Sequence, residues 1–478
     1  MKVEYRSEVK LKKADALITG LYEGLKDVEK EEREKLKALS FEGKKGQVAV
    51  LPGEGAFKRI IFVGLGKKSE LNPDAVRLAA AKGVKKAKEL SAKRVVCELL
   101  GVEKLKGKAA QAVAEGLILG HYEFNKYKKE EERKEVERVI VAGEKEFKED
   151  FDRGRVLAEA TNFARDLVNE PGNVITPEEL ARVAKELSKE YGFECKVFDE
   201  KKLEKNQMVG ILTVGKGSKN PPRFIHVAYK PKNPKGKVVL VGKGVTFDSG
   251  GLNIKPEQFM KTMKSDKAGA CAVLGIMKAV GELQPQVEVH GLIPTVENMP
   301  DGKAYRPDDI IVYRNGVSVE VHSTDAEGRL ILADALIYGS ELSPEVMVDM
   351  ATLTGACVVA LGNYTSGLFT EDDSLARELC SISRETGEKL WRLPLDEDLE
   401  EEIKGAYTTV QNVGKSRYGG AITAALFLKK FVDKEKVKSW AHLDIAGPAF
   451  LKSGWKYYSE GATGQPVRTI VELILKRG

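Results

Sequence analysis

The sequence lacks the residue patterns that several large classes of protein require. Its five cysteines lie far apart and form no CxxC pair, so neither a disulfide framework nor a zinc ribbon is indicated. Its five histidines are never three or four residues apart, which excludes the HExxH zinc helix. There is also no GxSxG sequence, the usual site of a hydrolase serine nucleophile. If the protein is a metalloenzyme, its ligands are therefore mostly oxygen atoms.

Long apolar runs are missing as well. No stretch approaches the roughly 18 uninterrupted apolar residues that cross a bilayer, and no apolar core of signal-peptide length follows the basic residues near the N-terminus. The 78 basic and 72 acidic residues leave a formal net charge of only +6, without a basic arm. These absences predict a cytoplasmic protein without a membrane partner, and they argue against nucleic acid as its main partner.

The length and the element pattern predict an α/β protein with two domains. A chain of 478 residues is too long for one ordinary core. Strand-like runs alternate with helix-period stretches in the first third and again after a turn-rich break, NEPGNVITPEEL. In that break Thr176 is placed to cap a helix, followed by Pro177 and Glu179. We predict an N-terminal domain over residues 1–150, a linker helix over 151–168 and a larger C-terminal domain over 169–478.

Three segments place charged residues at the ends of predicted strands, where open α/β sheets bind their ligands. The segments are VGKGVTFDSGGLNIKP, MKTMKSDKAGA and HSTDAEGRLIL. Their charged residues of interest are Lys243, Asp248, Lys255, Asp266, Asp325, Glu327 and Arg329. We expect Asp266 to stand just before a helix of small residues. We expect the last three to alternate on one side of an extended stretch.

Taken together, these residues predict a metal site. One aspartate beside glycines is usually a turn or a helix cap, but four carboxylates and two lysines among glycine, alanine and strand residues are not a solvated face. Buried charges persist only when they are paired or bound to metal. Several hard oxygen donors suit divalent cations, and two ions bridged by shared carboxylates are a common hydrolytic arrangement.

The same segments resemble the leucyl aminopeptidase family of two-metal exopeptidases, also called cytosol aminopeptidases. TDAEGRL and VGKGVTFDSGG together carry the resemblance, and NEPGNVITPEEL, DMATLTGA, WAHLDIAGPA and GATGQPV match further family segments in the same order. The similarity runs from about residue 165 to the C-terminus. It implies a small macrodomain-like α/β domain and a larger catalytic α/β domain with a mixed, mostly parallel central sheet.

The resemblance implies two divalent ions, manganese or zinc, in each subunit. One ion would be held by Asp248, Asp325 and Glu327. The other would be held by Lys243, Asp248, Asp266 and Glu327, so that Asp248 and Glu327 bridge. Lys243 must be neutral to act as a ligand, and we expect burial and the neighbouring ions to lower its pKa.

The resemblance also implies the reaction. The enzyme would hydrolyse the N-terminal residue, preferably Leu or another apolar residue, from peptides with a free α-amine, by attack of a metal-bridging water. Lys255 would stabilise the oxyanion, and a bicarbonate held by Arg329 would move the proton. The expected substrate contacts are Met263, Thr352, Leu353, Gly355, Ala446 and Ala449. Of these, Ala449 should leave room for large side chains.

One departure and three alternatives accompany this interpretation. Ser323 stands where the family signature usually has Asn, so we expect a hydrogen bond near the metals to change while the ligands are kept. Relatives are hexamers, so a homohexamer acting on peptides is expected. The alternatives are a dipeptidase acting on Cys-Gly, a DNA-binding architectural protein and an inactive scaffold. The small net charge argues against DNA binding, and the five filled ligand positions argue against a scaffold.

Overall fold

A computed structural model describes residues 1–7, 13–132 and 134–478 as two compact units. The first comprises Met1–Asn162, Glu385–Gly387 and Lys452–Gly461, and the second comprises Phe163–Arg384, Glu388–Leu451 and Ala462–Gly478. A helix, α5 (Lys148–Asn169), covers the residues of the predicted linker. The domain bounds inferred from the sequence stay a prediction.

The first unit is built on a six-stranded, mostly parallel sheet. Its strands are β1 (Lys2–Arg6), β2 (Ala16–Tyr22), β3 (Val48–Pro52), β4 (Arg59–Gly66), β5 (Arg94–Glu98) and β6 (Arg138–Ala142). Its helices before α5 are α1 (Lys30–Ala38), α2 (Pro73–Glu89), α3 (Val102–Leu105) and α4 (Gly107–His121). The strand order is β1-β6-β5-β2-β4-β3, and β3 alone of these runs antiparallel to its neighbour. Helices α2 and α4 pack against each other.

The second unit contains the remaining elements. Its strands are β7 (Glu194–Phe198), β8 (Arg223–Tyr229), β9 (Lys237–Gly242), β10 (Gly244–Asp248), β11 (Glu288–Asn298), β12 (Ile310–Val312), β13 (Ser318–Glu320), β14 (Val346–Ala351), β15 (Thr365–Phe369), β16 (Lys389–Arg392), β17 (Val410–Gln411), β18 (Ser439–Asp444) and β19 (Phe450–Leu451). The two residues of β20 (Gly461–Ala462) are divided between the units, Gly461 in the first and Ala462 in the second. Its helices are α6 (Pro177–Tyr191), α7 (Glu200–Lys205), α8 (Val209–Gly215), α9 (Glu257–Met260), α10 (Ala268–Leu283), α11 (Glu327–Glu341), α12 (Gly355–Leu361), α13 (Asp373–Thr386), α14 (Gly420–Lys429) and α15 (Val467–Leu475). Several 3₁₀ turns join them, including Met263–Lys267.

The central sheet of the second unit is mixed and mostly parallel, as predicted. Its strand order is β16-β15-β18-β14-β9-β11-β8-β7, and β10 pairs with β11. The pairs from β18 through β14 and β9 to β11 are parallel, whereas β7, β8 and β15 introduce antiparallel pairs. Strand β9 is buried along almost its whole length, because helices α10 and α11 both pack against it. This arrangement confirms the mixed α/β fold with a smaller N-terminal part and a larger C-terminal one.

Local sequence signals account for several element ends. Thr176 caps α6, because its Oγ1 accepts the backbone N–H of Glu179 at 3.3 Å, and Pro177 follows at the first helical position. Helix α2 begins in the same way, with the side chain of Asn72 accepting the N–H of Ala75 at 3.0 Å. Among residues 1–7, 13–132 and 134–478, none of the helices combines the length and hydropathy that a bilayer-spanning segment needs.

Candidate metal centre

The parallel strands bring the five predicted metal ligands to one edge of the sheet. Lys243 directly follows β9, and Asp248 is the last residue of β10. Asp266 lies in the 3₁₀ turn that leads into α10, as predicted, and Asp325 and Glu327 lie at the start of α11. Because β9 and β10 end at the same edge, side chains distant in sequence meet there.

The distances show how closely these side chains approach. One carboxylate oxygen from each of Asp248, Asp325 and Glu327 lies within 4.8 Å of the other two. Lys243 Nζ lies 2.8 Å from Asp266 Oδ1 and 2.9 Å from Glu327 Oε1. All five predicted positions therefore belong to a single cluster.

One local prediction about this cluster was wrong. Asp325, Glu327 and Arg329 do not alternate along an extended stretch; Asp325 lies in a turn, and α11 begins at Glu327. Charged residues at every second position suggested a strand, but the following apolar run has helical spacing. Asp325 and Glu327 face one another because the chain turns between them into the helix.

The donor set fits divalent cations. Asp248, Asp266 and Glu327 are almost completely buried, whereas Asp325 is partly exposed. In the described part of the chain no hydrogen-bond partner is found for two buried oxygens, Asp266 Oδ2 and Glu327 Oε2. Buried carboxylate oxygens are costly when they are unpaired, and oxygen ligands in this number suit hard divalent ions. The residues present therefore fit a metal centre.

Burial and the neighbouring charges shift the pKa values of the buried carboxylates. Burial, followed by the charges of Glu327 and Asp266, raises the pKa of Asp248. Burial also raises the pKa of Asp266, although Lys243 opposes that effect. For Glu327 the cations prevail: burial alone would raise its pKa, but Lys243 and Lys255 lower it below the usual value. Additional positive charge would relieve this repulsion.

The pKa of Lys243 differs from the prediction. Burial alone would lower the pKa of its ammonium, but the carboxylates of Asp266, Glu327 and Asp248 outweigh burial and raise the pKa above its usual value. The protein's own charges therefore favour the protonated form. Only bound cations could supply the lowering expected from the sequence.

Lys255 lies against the cluster from the loop after β10. Its Nζ is 2.8 Å from Asp248 Oδ2 and also pairs closely with Asp325. Two glycines shape this loop, since Gly250 and Gly251 have φ of 88° and 66°, in the left-handed region. A Cβ at Gly250 would lie 2.4 Å from the carbonyl oxygen of Asn253. The double glycine thus allows the tight return that brings Lys255 back to Asp248.

Arg329 is buried with much of its hydrogen-bonding capacity unused. Its Nη1 donates to the carbonyl of Asn412 at 2.6 Å, and its guanidinium lies 6.0 Å from the ring centre of Phe427. No partner for its Nε is present among the residues that the structure describes. Burial lowers the pKa of Arg329 to about 10, so it stays charged at neutral pH. A buried, charged and incompletely paired guanidinium suits a small anion.

The predicted substrate contacts lie on two loops and one turn around the cluster. Thr352 touches the cluster directly: its Oγ1 donates to Asp266 Oδ1 at 2.7 Å, and its carbonyl accepts from Lys243 at 2.9 Å. Leu353 and Gly355 follow it, and Met263 begins the 3₁₀ turn that contains Asp266. Ala446 and Ala449 follow β18, where Ala449 is buried.

The residues that hold the predicted ligands in place through hydrogen bonds were not identified from the sequence. Asn298, at the end of β11, donates from Nδ2 to Asp248 Oδ1 at 2.8 Å and to the carbonyl of Thr324 at 3.0 Å. Thr324 in turn donates to the carbonyl of Gly250 at 2.6 Å. The one available signal was a buried strand ending in Asn. Ser323 accepts the N–H of Asp325, one of the predicted ligands, at 3.2 Å through its Oγ.

Comparison with known proteins agrees with this geometry. The sequence model of the catalytic domain of the cytosol aminopeptidase family matches residues 162–471, and that of the family's N-terminal domain matches residues 13–131. The chain belongs to the cytosol aminopeptidase family. Among family members, a probable cytosol aminopeptidase of Persephonella marina is 51% identical over 91% of this chain and 89% of its own length. One of Aquifex aeolicus is 49% identical over 99% and 97%.

Solved structures of similar proteins share the whole fold. The bottromycin maturation enzyme BotP in complex with Mn is 36% identical, with a TM-score of 0.90 over 97% of this chain and 99% of that one. A mutant of tomato leucine aminopeptidase is 35% identical, with a TM-score of 0.90 over 100% and 96%. As a family member, the chain is a metal-dependent aminopeptidase, a hydrolase. None of the four relatives is described as a dipeptidase, a DNA-binding protein or a scaffold, so those alternatives gain no support.

Proposed function

We propose that this enzyme removes the N-terminal residue, preferably Leu or another apolar residue, from peptides with a free α-amine, using two divalent ions per subunit. The observation that carries the proposal is the cluster of buried carboxylates in which Asp266 Oδ2 and Glu327 Oε2 have no hydrogen-bond partner in the described chain. Such oxygens are ready ligands for hard cations. Manganese or zinc is the expected metal.

Five residues would hold the two ions. Asp248, Asp325 and Glu327, whose oxygens lie within 4.8 Å of one another, would hold the first. Lys243 and Asp266, joined at 2.8 Å, would complete the second with Asp248 and Glu327 as bridges. When bound, the ions would supply Lewis-acid chemistry, polarising the scissile carbonyl and acidifying water.

Lys255 would stabilise the negative charge that develops on the scissile carbonyl oxygen. Burial would lower the pKa of its ammonium, but Asp248 and Glu327 raise it, so the group stays positive. A fixed ammonium at the edge of a buried site is worth more in the transition state than it would be in water. Metal binding to Asp248 and Asp325 would free Lys255 from these carboxylates and turn its charge toward the substrate.

Arg329 would hold a bicarbonate that carries the proton of the attacking water. The support is its unfilled donor capacity beside the cluster, since Asn412 occupies only one of its N–H groups. No other side chain in the described site stands out as a general base. Bicarbonate would thus supply the general base that the side chains of the described site do not provide.

The side-chain pocket would be formed by the residues on the loops around the cluster. They are Met263, Thr352, Gly355, Ala446 and Ala449, whereas the backbone around Leu353 would receive the main chain of the substrate. The small, buried Ala449 would admit large apolar side chains. Rates for the Leu, Phe and Ala amides test this pocket, and a preference for Ala would contradict it. A Cys-Gly dipeptide provides the comparison for a narrower dipeptidase.

We further propose a cytoplasmic homohexamer. The larger unit exposes several big apolar side chains, among them Trp391, Tyr407, Tyr418 and the helix residue Val359. In a hexamer these side chains would be available for contacts between subunits. Sedimentation should give six times the 52.5 kDa mass of the chain, and a monomer at micromolar concentration would contradict the hexamer.

The free α-amine is the sharpest test of the reaction. Leucine p-nitroanilide should release p-nitroaniline, whereas the N-acetylated form should not, because an acetylated nitrogen can no longer bind a metal. Cleavage of both compounds at similar rates would show that the enzyme does not require a free α-amine in its substrate. The aminopeptidase proposal would then fail.

A further inference from the structure

A buried carboxylate outside the metal cluster accepts hydrogen bonds from the backbone N–H groups of two expected substrate contacts. Asp444 ends β18 and is completely buried. Its Oδ1 accepts the N–H groups of Leu353 at 3.2 Å and Ala446 at 3.1 Å. Its Oδ2 accepts the hydroxyl of Thr354 at 2.7 Å. One side chain thus fixes two chain segments that follow neighbouring strands.

The turn held by Asp444 is tied to the metal cluster at its other end. Strand β14 ends at Ala351 and α12 begins at Gly355, so residues 352–354 form the connection between them. Within this connection, Thr352 bonds to Asp266 through its hydroxyl and to Lys243 through its carbonyl. The turn therefore spans from the proposed ligands to Asp444.

Thr354 extends the same constraint to the following helix. Its Oγ1 donates to Asp444 Oδ2 and accepts the N–H of Cys357 at 3.0 Å, which caps α12. Gly355, another expected substrate contact, is the first residue of that helix. Fixing the Thr354 hydroxyl therefore also fixes the start of α12.

The contacts of Asp444 indicate a positioning role. In the described chain no lysine or arginine forms an ion pair with it, and its three hydrogen-bond donors are two backbone amides and one hydroxyl. Burying a carboxylate is costly unless its hydrogen bonds are well made. These three hydrogen bonds therefore stabilise the buried carboxylate, and through them the carboxylate holds the three donor groups in place.

We propose that Asp444 is a positioning residue for the peptide substrate: it holds the backbone around Leu353 and Ala446 at a fixed place beside the metal cluster. The inference rests on the proposed aminopeptidase function. Asp444 is not assigned as a metal ligand, because both of its carboxylate oxygens accept hydrogen bonds from Leu353, Thr354 and Ala446. Its loss should weaken substrate binding while the ions stay bound.

The test compares Asp444→Ala and Asp444→Asn with a control of equal burial. Asp349 lies on β14, beside β18, and accepts from Trp440 Nε1 at 2.8 Å and His442 Nδ1 at 2.5 Å, but it does not touch the turn. Asp349→Ala is thus the matched loss of a buried carboxylate. KM and kcat for leucine p-nitroanilide, bound metal and the melting temperature are measured for each variant.

Asp444→Ala should raise KM by about tenfold or more, since two backbone donors lose their acceptor. Its kcat should change much less, and its metal content should equal that of the wild type. Asp444→Asn should lie near the wild type, because the amide oxygen can still accept both N–H groups and the amide nitrogen can donate to Thr354 Oγ1, which reverses that hydrogen bond and keeps the link. Asp349→Ala should lower the melting temperature and leave KM unchanged.

An unchanged KM in Asp444→Ala overturns the inference, and so does an equal rise of KM in Asp349→Ala. If Asp444→Ala does not fold, the pair Thr354→Val and Thr354→Ser decides: Val removes the link to Asp444 and should raise KM, whereas Ser keeps it. Equal KM values in that pair overturn the inference. A wild-type protein inactive on every free-amine substrate overturns the proposed function as well, so the two failures are distinguishable.

Discussion

Asp248 shows how the individual residues of the cluster depend on one another. Its Oδ1 is held by Asn298, and its Oδ2 by Lys255. Burial raises the pKa of Asp248, and the repulsion from Glu327 and Asp266 raises it further; cations between the carboxylates would relieve that repulsion. Asp248 therefore has two separate requirements, a fixed orientation and a compensating charge.

The orientation requirement predicts a role for Asn298 in metal affinity. Asn298→Ala removes the side-chain donor to Asp248 Oδ1 and leaves only the N–H of Gly250 there, at 2.9 Å, so the carboxylate proposed to bridge the ions is less firmly oriented. Loss of such a supporting hydrogen bond typically weakens metal binding by about 10–100-fold. Competition with a chromophoric chelator measures the change. Asn315→Ala is the control, because Asn315 is exposed and bonds to its own turn; equal affinity in both variants would contradict the role.

Lys255 should matter for the chemical step and not for metal binding. Lys255→Ala should lower kcat by about 100–1000-fold, the usual effect of removing one group that stabilises an oxyanion, with the metal content unchanged. Lys261, an exposed lysine directly after α9, supplies the control Lys261→Ala. A kcat within a few-fold of the wild type in Lys255→Ala would remove Lys255 from the mechanism.

His121 makes the stability of the first unit depend on pH. Burial, and then the charge of Lys88, lowers its pKa to about 3, and its Nε2 accepts the N–H of Val136 at 3.1 Å. The unfolded chain binds the proton near pH 6.5, so the full stability is present above that pH and is lost as the pH falls toward 3. Between pH 7.5 and 5 the loss is about 2 kcal/mol for this group.

Denaturation at the two pH values measures this effect. His121→Gln keeps an acceptor for Val136 but cannot titrate, so its stability should fall less than that of the wild type between pH 7.5 and 5. His322→Gln, at an exposed histidine, should follow the wild type. An identical pH dependence in His121→Gln and the wild type would contradict the assignment.

At the scale of elements, the loop after β10 links sequence to site most directly. Gly250 has φ of 88°, and the space beside it is filled by the carbonyl of Asn253. Gly250→Ala should displace the loop, separate Lys255 from Asp248 and reduce kcat/KM by about 100-fold or more, by analogy with other misplacements of catalytic groups. Gly302→Ala is the control, because nothing lies within 4 Å of its added Cβ. Wild-type activity in Gly250→Ala would show that the loop tolerates a side chain.

The elements also show what the sequence could and could not predict. The strand end before Lys243 and the helix start after Asp266 were predicted correctly, since a buried apolar strand followed by charges and glycines is a local signal, and so is a run of small residues with helical spacing. The start of α11 was not predicted correctly, because charged residues at every second position are typical of a strand. The contacts of Asn298 and Asp444 could not be predicted from the sequence, because they are made with residues 50 and about 90 positions away along the chain.

At the scale of the whole molecule, the α/β class and the mostly parallel central sheet followed from alternating elements, and the family model confirms the resemblance. Segments that join a unit from elsewhere in the chain, such as Lys452–Gly461 in the first unit, could not be predicted. Their place depends on tertiary contacts and has no local pattern.

The central claim is that the carboxylate cluster holds the two ions on which the reaction depends. Its most direct test is to strip the protein with a chelator, return manganese or zinc stepwise, and follow both bound metal and release of p-nitroaniline from leucine p-nitroanilide. Stripping should abolish activity, recovery should be complete at two ions per subunit, and Glu327→Gln should show neither tight metal binding nor recovery. Full activity in the stripped protein, or in Glu327→Gln without bound metal, would contradict it.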